Sequence, residues 1–175
     1  MPRLVVQVNH IELDRGAFTR ALNEAIDRRM RRAAKAFLKV VVDNVPIKTG
    51  TSRGSLLPLG RLLRISSVVN LSGAEPDAKR GRTPEAGAKQ VSSPPYFTNE
   101  KGKYALQYST KVLWYILNET FGRGVNVHAS PSAPWHSFDK GRDAFKKDLK
   151  SLKQDIPKIS NYLITTRVSN QGRTI

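Results

Sequence analysis

The sequence predicts an α+β fold: a long N-terminal helix and a C-terminal helix packed on a small, mainly antiparallel sheet that carries a long projecting arm. Three observations predict it. From Phe18 to Val41 apolar residues recur at steps of three and four, the period of one helix face. From Leu62 to Leu71, and again from Lys103 to Ser109, apolar and polar positions alternate, the period of a strand. Between these two runs, residues 72–102 are rich in Gly, Pro, Ser, Lys and Arg and nearly free of aliphatic side chains. A chain of 175 residues with 39% apolar content makes one core. Residues 1–157 therefore read as one domain with the arm at 72–102, and 158–175 as a C-terminal extension.

The elements follow in order. Leu4 to Val8 is a short β-prone run, and Asp14 is placed to cap the helix that follows. Phe18, Leu22, Ala25, Ile26, Met30, Ala33, Phe37 and Val41 form the apolar stripe of that helix, which ends near Asp43 and Asn44 after roughly 42 Å at 1.5 Å per residue. Its other faces carry Arg20, Arg28, Arg31, Arg32, Lys35 and Lys39, either a solvated surface or a basic contact for an acidic neighbour. Pro46-Ile47-Lys48-Thr49-Gly50-Thr51-Ser52-Arg53-Gly54-Ser55-Leu56 then punctuates a change of period. It reads as a joint between helix and sheet, with Gly50 supplying an unusual backbone angle and Thr49 or Ser52 bonding the turn. The strand at 62–71 and the strand around Tyr104, Leu106 and Tyr108 are expected to pair, with the arm mobile until a partner orders it.

The third part opens with Val112-Leu113-Trp114-Tyr115-Ile116-Leu117, short for a long helix and suited to a core segment, closed by Gly122-Arg123-Gly124. Ser130, Pro131, Ser132 and Pro134 mark a helix start. Trp135, Phe138, Phe145, Leu149, Leu152 and Ile156 make its stripe, and Pro157 stops it. The β-prone run from Tyr162 to Val168 is expected to pair with a neighbouring subunit's sheet edge.

Charge and composition bound the function. Lys and Arg number 30 against 14 Asp and Glu, a formal net charge of +16, which favours an anionic partner such as nucleic acid or an acidic protein surface. With no cysteine, disulfides, thiolate zinc sites and cysteine nucleophiles are excluded. No run approaches the ~20 apolar residues of a membrane span, and the start is too short in apolar residues for a signal segment, so synthesis and folding in a cytoplasm are expected.

Catalytic constellations are weak. His10, His128 and His136 have no metal-ligand spacing, and His136-Ser137-Phe138-Asp139 brings triad residue types together only as sequence neighbours. Carboxylates are scattered, which gives no local acid–base pair. Residues 50–55 lack the lysine and glycine spacing of a nucleotide-binding phosphate loop, although an anion could lie there. The reading is of a protein that is not an enzyme and has no cofactor or metal.

In order along the chain, the N-terminal strand, the long basic helix, Pro46-x-x-Thr49-Gly50-x-x-Arg53-x-Ser55, then Trp114-Tyr115 with Glu119-Thr120-Phe121-Gly122, then Ala133-Pro134-Trp135 with Phe138, resemble the neck and tail-component family of tailed bacteriophages. The resemblance covers about residues 4–153. Lys48 stands where that family commonly has aspartate and Ile116 where it has alanine, and the 72–102 arm is longer and more basic than its pattern. The resemblance implies a structural virion protein in the neck between capsid and tail, a connector domain that forms a homo-oligomeric ring, a hexamer in preference to a dodecamer. It implies docking on neighbouring head-closure or connector proteins and on tail-tube or tail-terminator proteins, non-specific contact with double-stranded DNA in the channel, and no membrane. By that resemblance Pro46, Thr49, Gly50, Arg53, Ser55, Tyr115, Glu119, Phe121 and Gly122 form the structural joint and subunit contact. Arg28, Arg31, Arg32, Lys79, Arg80 and Arg82 are the expected electrostatic contacts to acidic partners or DNA. The charge alone supports an alternative, a basic nucleic-acid-binding protein acting as monomer or dimer.

Overall fold

A computed structural model describes residues 8–91, 96–100, 103–122 and 130–168. It is α+β, with a long N-terminal helix, a C-terminal helix and short antiparallel strands. Helix α1 spans Arg15–Asn44, and the Asp14 carboxylate accepts a hydrogen bond of 2.8 Å from the Ala17 amide at its start. The expected stripe is the buried one at Ala25, Ala33 and Val41, joined by Ala34, Leu38 and Val42. Arg29 lies in the same stripe, 5% exposed.

Helix α6, Ser137–Leu149, runs antiparallel along that stripe. Three contacts fix its direction. Lys140 Nζ donates to Asn44 Oδ1 at 2.7 Å, Phe138 meets Phe37 with ring centroids 6.0 Å apart, and Asp148 lies 3.5 Å from Arg29. Arg29 also binds Asp155 of the short helix α7, Leu152–Asp155, so this buried guanidinium ties the end of the C-terminal helical region to the middle of α1. Its two carboxylates raise its pKa against the opposing effect of burial, the hydrogen bond to Asp155 contributing most.

The run 62–71 is not a strand. Helix α3, Leu57–Leu62, is followed by a 3-10 turn at Ser66–Val68, with Leu63 N bonded to Leu59 O and Ile65 N to Gly60 O. Leu59, Leu63 and Val69 are buried, while Leu62, Ile65 and Val68, drawn from both parities of the run, pack partly against the same core. Alternation predicts a strand only when one parity alone meets the core; here apolar residues of both parities meet it, and the four-residue step Leu59–Leu63 lies on one helical face. Strand β3, Lys103–Gln107, therefore pairs not with 62–71 but with β2, Tyr96–Glu100, antiparallel with Phe97 opposite Leu106.

The expected projecting arm is also corrected. Over residues 72–91 the chain folds back: Asp77 and Arg82 form a bridge around a turn at Ala78–Arg80, Glu75 N bonds Lys48 O at 2.7 Å, and Pro84–Lys89 is helix α4. Thr83 caps α4 through a 3.1 Å bond from Ala86 N, and Pro84 and Gly87 are buried. Val91 bridges Thr110, which leads this segment into the sheet. The arm's remaining residues 92–95 and 101–102 lie outside the described residues.

Helix α5, Leu113–Thr120, holds only Tyr115 and Asn118 fully buried, so the apolar run serves the core by one face while Leu113 and Ile116 are exposed. The stripe expected for a single last helix is divided between α6 and α7, with Trp135 buried ahead of α6 and Ile156 exposed beyond α7. Strand β4, Leu163–Val168, pairs antiparallel with β1, Val8–Leu13, Leu13 opposite Leu163. The C-terminal run thus finds its partner within the same chain rather than on a neighbour's edge. Of the expected first strand, Leu4–Val8, only Val8 is among the described residues.

Leu106 of β3, and Tyr108 just after it, pack against the core. The core lies between α1, α3, α5 and α6, where Leu38, Leu56, Leu59 and Tyr115 are fully buried. Each buried leucine there contributes about 1.5–3 kcal/mol.

Candidate functional site

The segment from Pro46 to Leu56 is a joint, but it links helix to helix. Gly50 has φ of 77°, in the left-handed region, and a side chain there would lie 2.7 Å from Pro84 Cγ. Helix α2, Thr51–Gly54, follows at once. It packs on α4 with the backbones in near contact: a Cβ on Gly54 would collide with the Pro84 carbonyl, and one on Gly87 with the Thr51 carbonyl.

Arg53 ties the joint to the chain on either side of it. Its Nε donates to Val45 O at 2.6 Å and its Nη1 to Asn70 O at 3.1 Å. Burial lowers its pKa from the ordinary guanidinium value, with Asp43 opposing. Ser55, fully buried, donates to Ser52 O at 2.7 Å and meets the Tyr108 hydroxyl at 3.0 Å, which itself donates to Ser55 O at 3.1 Å. Thr49 Oγ1 lies 3.0 Å from Thr51 Oγ1. The turn is bonded at Thr49, as the residue types suggest, and the longer-range ties come from Arg53 and Ser55.

The second motif, on α5, positions the third. Glu119 caps α6: its carboxylate accepts from Phe138 N at 2.8 Å and from Ser137 Oγ at 2.7 Å. Because the Ser137 proton goes to Glu119, the Tyr115 hydroxyl, 3.1 Å from Ser137 Oγ, is the donor in that pair. Burial pushes the Tyr115 pKa well up, with the bond to Ser137 opposing. Tyr115 also packs against Trp135 and Phe138, with centroids 5.7 Å away in both cases. Asn118 accepts from Ser130 N at 2.6 Å through its side chain and from Trp135 N at 2.8 Å through its carbonyl. Phe121, 39% exposed, ends α5, and Gly122 sits against Pro134. His136 precedes α6 with a φ of 48°, and its amide bonds Glu119 O at 3.3 Å.

These segments meet around one cleft of about 550 Å³. The joint contributes Pro46, Lys48, Thr49, Gly50, Thr51 and Ser52; segment 72–91 contributes Arg80 and Arg82. Val112, Trp114, Asn118, Ser130, Pro131 and Trp135 are the other described lining residues, and none of the described lining residues is a carboxylate. Arg82 Cζ sits 5.6 Å from the centre of the Trp114 ring, and Arg80 lies 3.7 Å from Asp77.

The expected electrostatic residues divide between two places. Arg80 and Arg82 line the cleft, while Lys79, exposed on the same turn, does not. Arg28, Arg31 and Arg32 lie on the exposed side of α1, Arg28 3.7 Å from Glu24 and Arg31 2.8 Å from Asp27. The nearby charges of Arg32 and Arg28 help lower the pKa of Asp155, behind the dominant hydrogen bond from Arg29. Arg29 and Asn118 were not singled out by the sequence, and Lys48 and Trp114, quoted within the motifs, were not named as site residues. For Arg29 the signal was present: four residues from both Ala25 and Ala33, it falls in phase with the buried stripe.

No helix among the described residues is long and apolar enough to cross a membrane. No protein family, curated protein or solved structure matches the chain.

Proposed function

We propose that this chain is a structural virion protein of a tailed bacteriophage, a non-enzymatic subunit of the neck that joins capsid to tail as a homo-oligomeric ring around the DNA passage. The observation that carries this reading is the convergence of the segments that resemble the neck and tail-component family. Pro46–Ser55, Tyr115–Gly122 and Ala133–Phe138 are separate in sequence, yet all three contribute residues to one cleft, and the second and third share the hydrogen-bonded unit of Tyr115, Ser137 and Glu119.

Exposed apolar surface supports an assembling subunit. Leu113, Ile116 and Phe121 are 60%, 44% and 39% exposed on and just after α5, and Ile11, Leu13, Leu163 and Ile164 are exposed on the β1–β4 ribbon. A two-stranded ribbon is marginal alone and gains from neighbours. The test is an early stop codon in this gene within the replicon that carries it, followed by electron microscopy of the lysate. DNA-filled heads and unjoined tails are expected. Normal infectious particles at normal yield would refute the assignment.

A further inference from the structure

We propose that the cleft between the joint and segment 72–91 is a binding site for a carboxylate-bearing peptide, a short acidic stretch of a partner protein. The inference rests on the composition of the cleft and does not depend on the connector reading. Lys48, Arg80 and Arg82 line a concavity of about 550 Å³ that holds no carboxylate among its described lining residues. This volume lies within the ~300–1,000 Å³ typical of ligand sites. Among the described residues no carboxylate lies within ion-pair distance of Lys48 or Arg82, and Arg80 has only the 3.7 Å contact with Asp77. Three cations gathered with Asp77 as their one nearby counter-charge among the described residues repel one another, and an anionic ligand relieves that repulsion.

The chemistry of the lining selects the anion. A guanidinium lying over an indole ring keeps its in-plane N–H donors clear, and that fork matches a carboxylate in two parallel hydrogen bonds. Arg82 is held in this way over Trp114. Thr51 and Ser52 add hydroxyls, and Pro46, Pro131 and Val112 add apolar walls for a peptide backbone and its neighbouring side chains. Clusters of arginine are a recurrent means of recognising acidic motifs.

Nucleic acid fits less well. Duplex DNA carries its phosphates along a rod many base pairs long, whereas only three cations line this local concavity, Lys48 and Arg80 exposed and Arg82 half-buried. Single strands bind by stacking bases on open aromatic faces, but Trp135 is 5% exposed and packed on Tyr115, and Trp114 already carries Arg82.

The chain's two tryptophans both line the cleft, so their emission reports on its occupancy. The experiment titrates the full chain, in about 0.15 M salt, with a short peptide of alternating Asp and Glu. Parallel arms use the matching Asn–Gln peptide, a single-stranded oligothymidylate and a random-sequence duplex. The acidic peptide should bind saturably with a change in tryptophan emission, and the amide peptide should bind at least about tenfold more weakly. Arg82→Gln and Lys48→Gln should each weaken the acidic peptide by about tenfold, while Arg20→Gln, about 36 Å along α1 from the helix end at the joint, should change affinity by less than about twofold. Lys48 is exposed and its side chain supports no described packing, so Lys48→Gln carries the test if Arg82→Gln perturbs the fold. Equal binding of the amide peptide, an equal loss in Arg20→Gln, or no saturable binding would overturn the proposal. So would tighter binding of either nucleic acid with the same dependence on Arg82.

Discussion

At the scale of single residues, the two tyrosines of the core show how burial is made tolerable. Tyr108 and Tyr115 each bring one hydroxyl into an apolar interior, and each is matched by a serine: Ser55 beside Tyr108 and Ser137 beside Tyr115. Burial penalises the phenolate and drives the Tyr108 pKa up to about 12, although hydrogen bonds from Ser55 and Thr110 act the other way. A phenol whose pKa is raised by folding stabilises the native state fully below the unfolded value near 10, and that stability is lost as pH rises through the folded value. For Tyr108 the loss amounts to about 2–3 kcal/mol across the window from about pH 10 to 12, at 1.36 kcal/mol per pKa unit. Alkaline titration at 295 nm should therefore show Tyr108 and Tyr115 ionising in a cooperative step that coincides with loss of circular dichroism. Ionisation of all five tyrosines near pH 10 in a chain that remains folded would contradict this burial. The pairings themselves were not legible in the sequence. Ser55 and Tyr108 are 53 residues apart, and neither carries a local signal of the other. Arg29 differs, since its place in the helical stripe was readable, whereas its carboxylate partners at Asp148 and Asp155 were not.

At the scale of elements, legibility followed the contrast between faces. Helix α1 has a polar side and an apolar side over 30 residues, and its start, its stripe and its end were all readable. Residues 62–71 lack that contrast, because apolar residues of both parities meet the core, and α3 with its 3-10 turn replaced the expected strand. Segment 72–91 misled for another reason. Its few aliphatic residues predict little burial, but small residues bury backbone instead, and Gly54 and Gly87 let α2 and α4 approach more closely than side chains would permit. Hence Arg80 and Arg82, expected on a detached arm, belong to the wall of the cleft. The link from α5 to α6 gives this scale its prediction. Glu119 satisfies the Phe138 amide at the start of α6 and holds the Ser137 hydroxyl that serves Tyr115. Glu119→Ala removes a helix cap worth about 1 kcal/mol and leaves buried hydroxyls short of an acceptor, a further cost of about 1–3 kcal/mol. Urea unfolding should register a loss of about 2–4 kcal/mol, with Glu119→Gln intermediate because its amide oxygen retains one of the two bonds. A loss below about 0.5 kcal/mol, the level typical of surface substitutions, would show that Glu119 does not tie the two motif segments together.

At the scale of the whole molecule, the net charge of +16 and the exposed apolar side chains pull self-association and partner capture in opposite directions with salt. Two copies repel over a distance set by the Debye length, about 30 Å at 0.01 M salt and about 8 Å at 0.15 M. Apolar contacts through residues such as Leu113, Ile116 and Leu163 are not weakened by that screening. If copies associate through apolar surface, as a ring of like-charged subunits requires, added salt removes the repulsion and leaves the attraction. Capture of an anionic partner behaves in the reverse way, because salt competes for the cations of the cleft and of α1. Sedimentation velocity on the isolated chain should therefore show mass increasing between low and moderate salt at fixed protein concentration, while binding of an acidic peptide or of DNA weakens over the same range. Leu113→Lys together with Leu163→Lys should suppress the salt-induced increase without altering the fold, since both positions are 45% or more exposed. Mass that instead falls as salt rises would mean that copies meet through complementary charge, and the exposed apolar residues would then lose their place in the proposed ring.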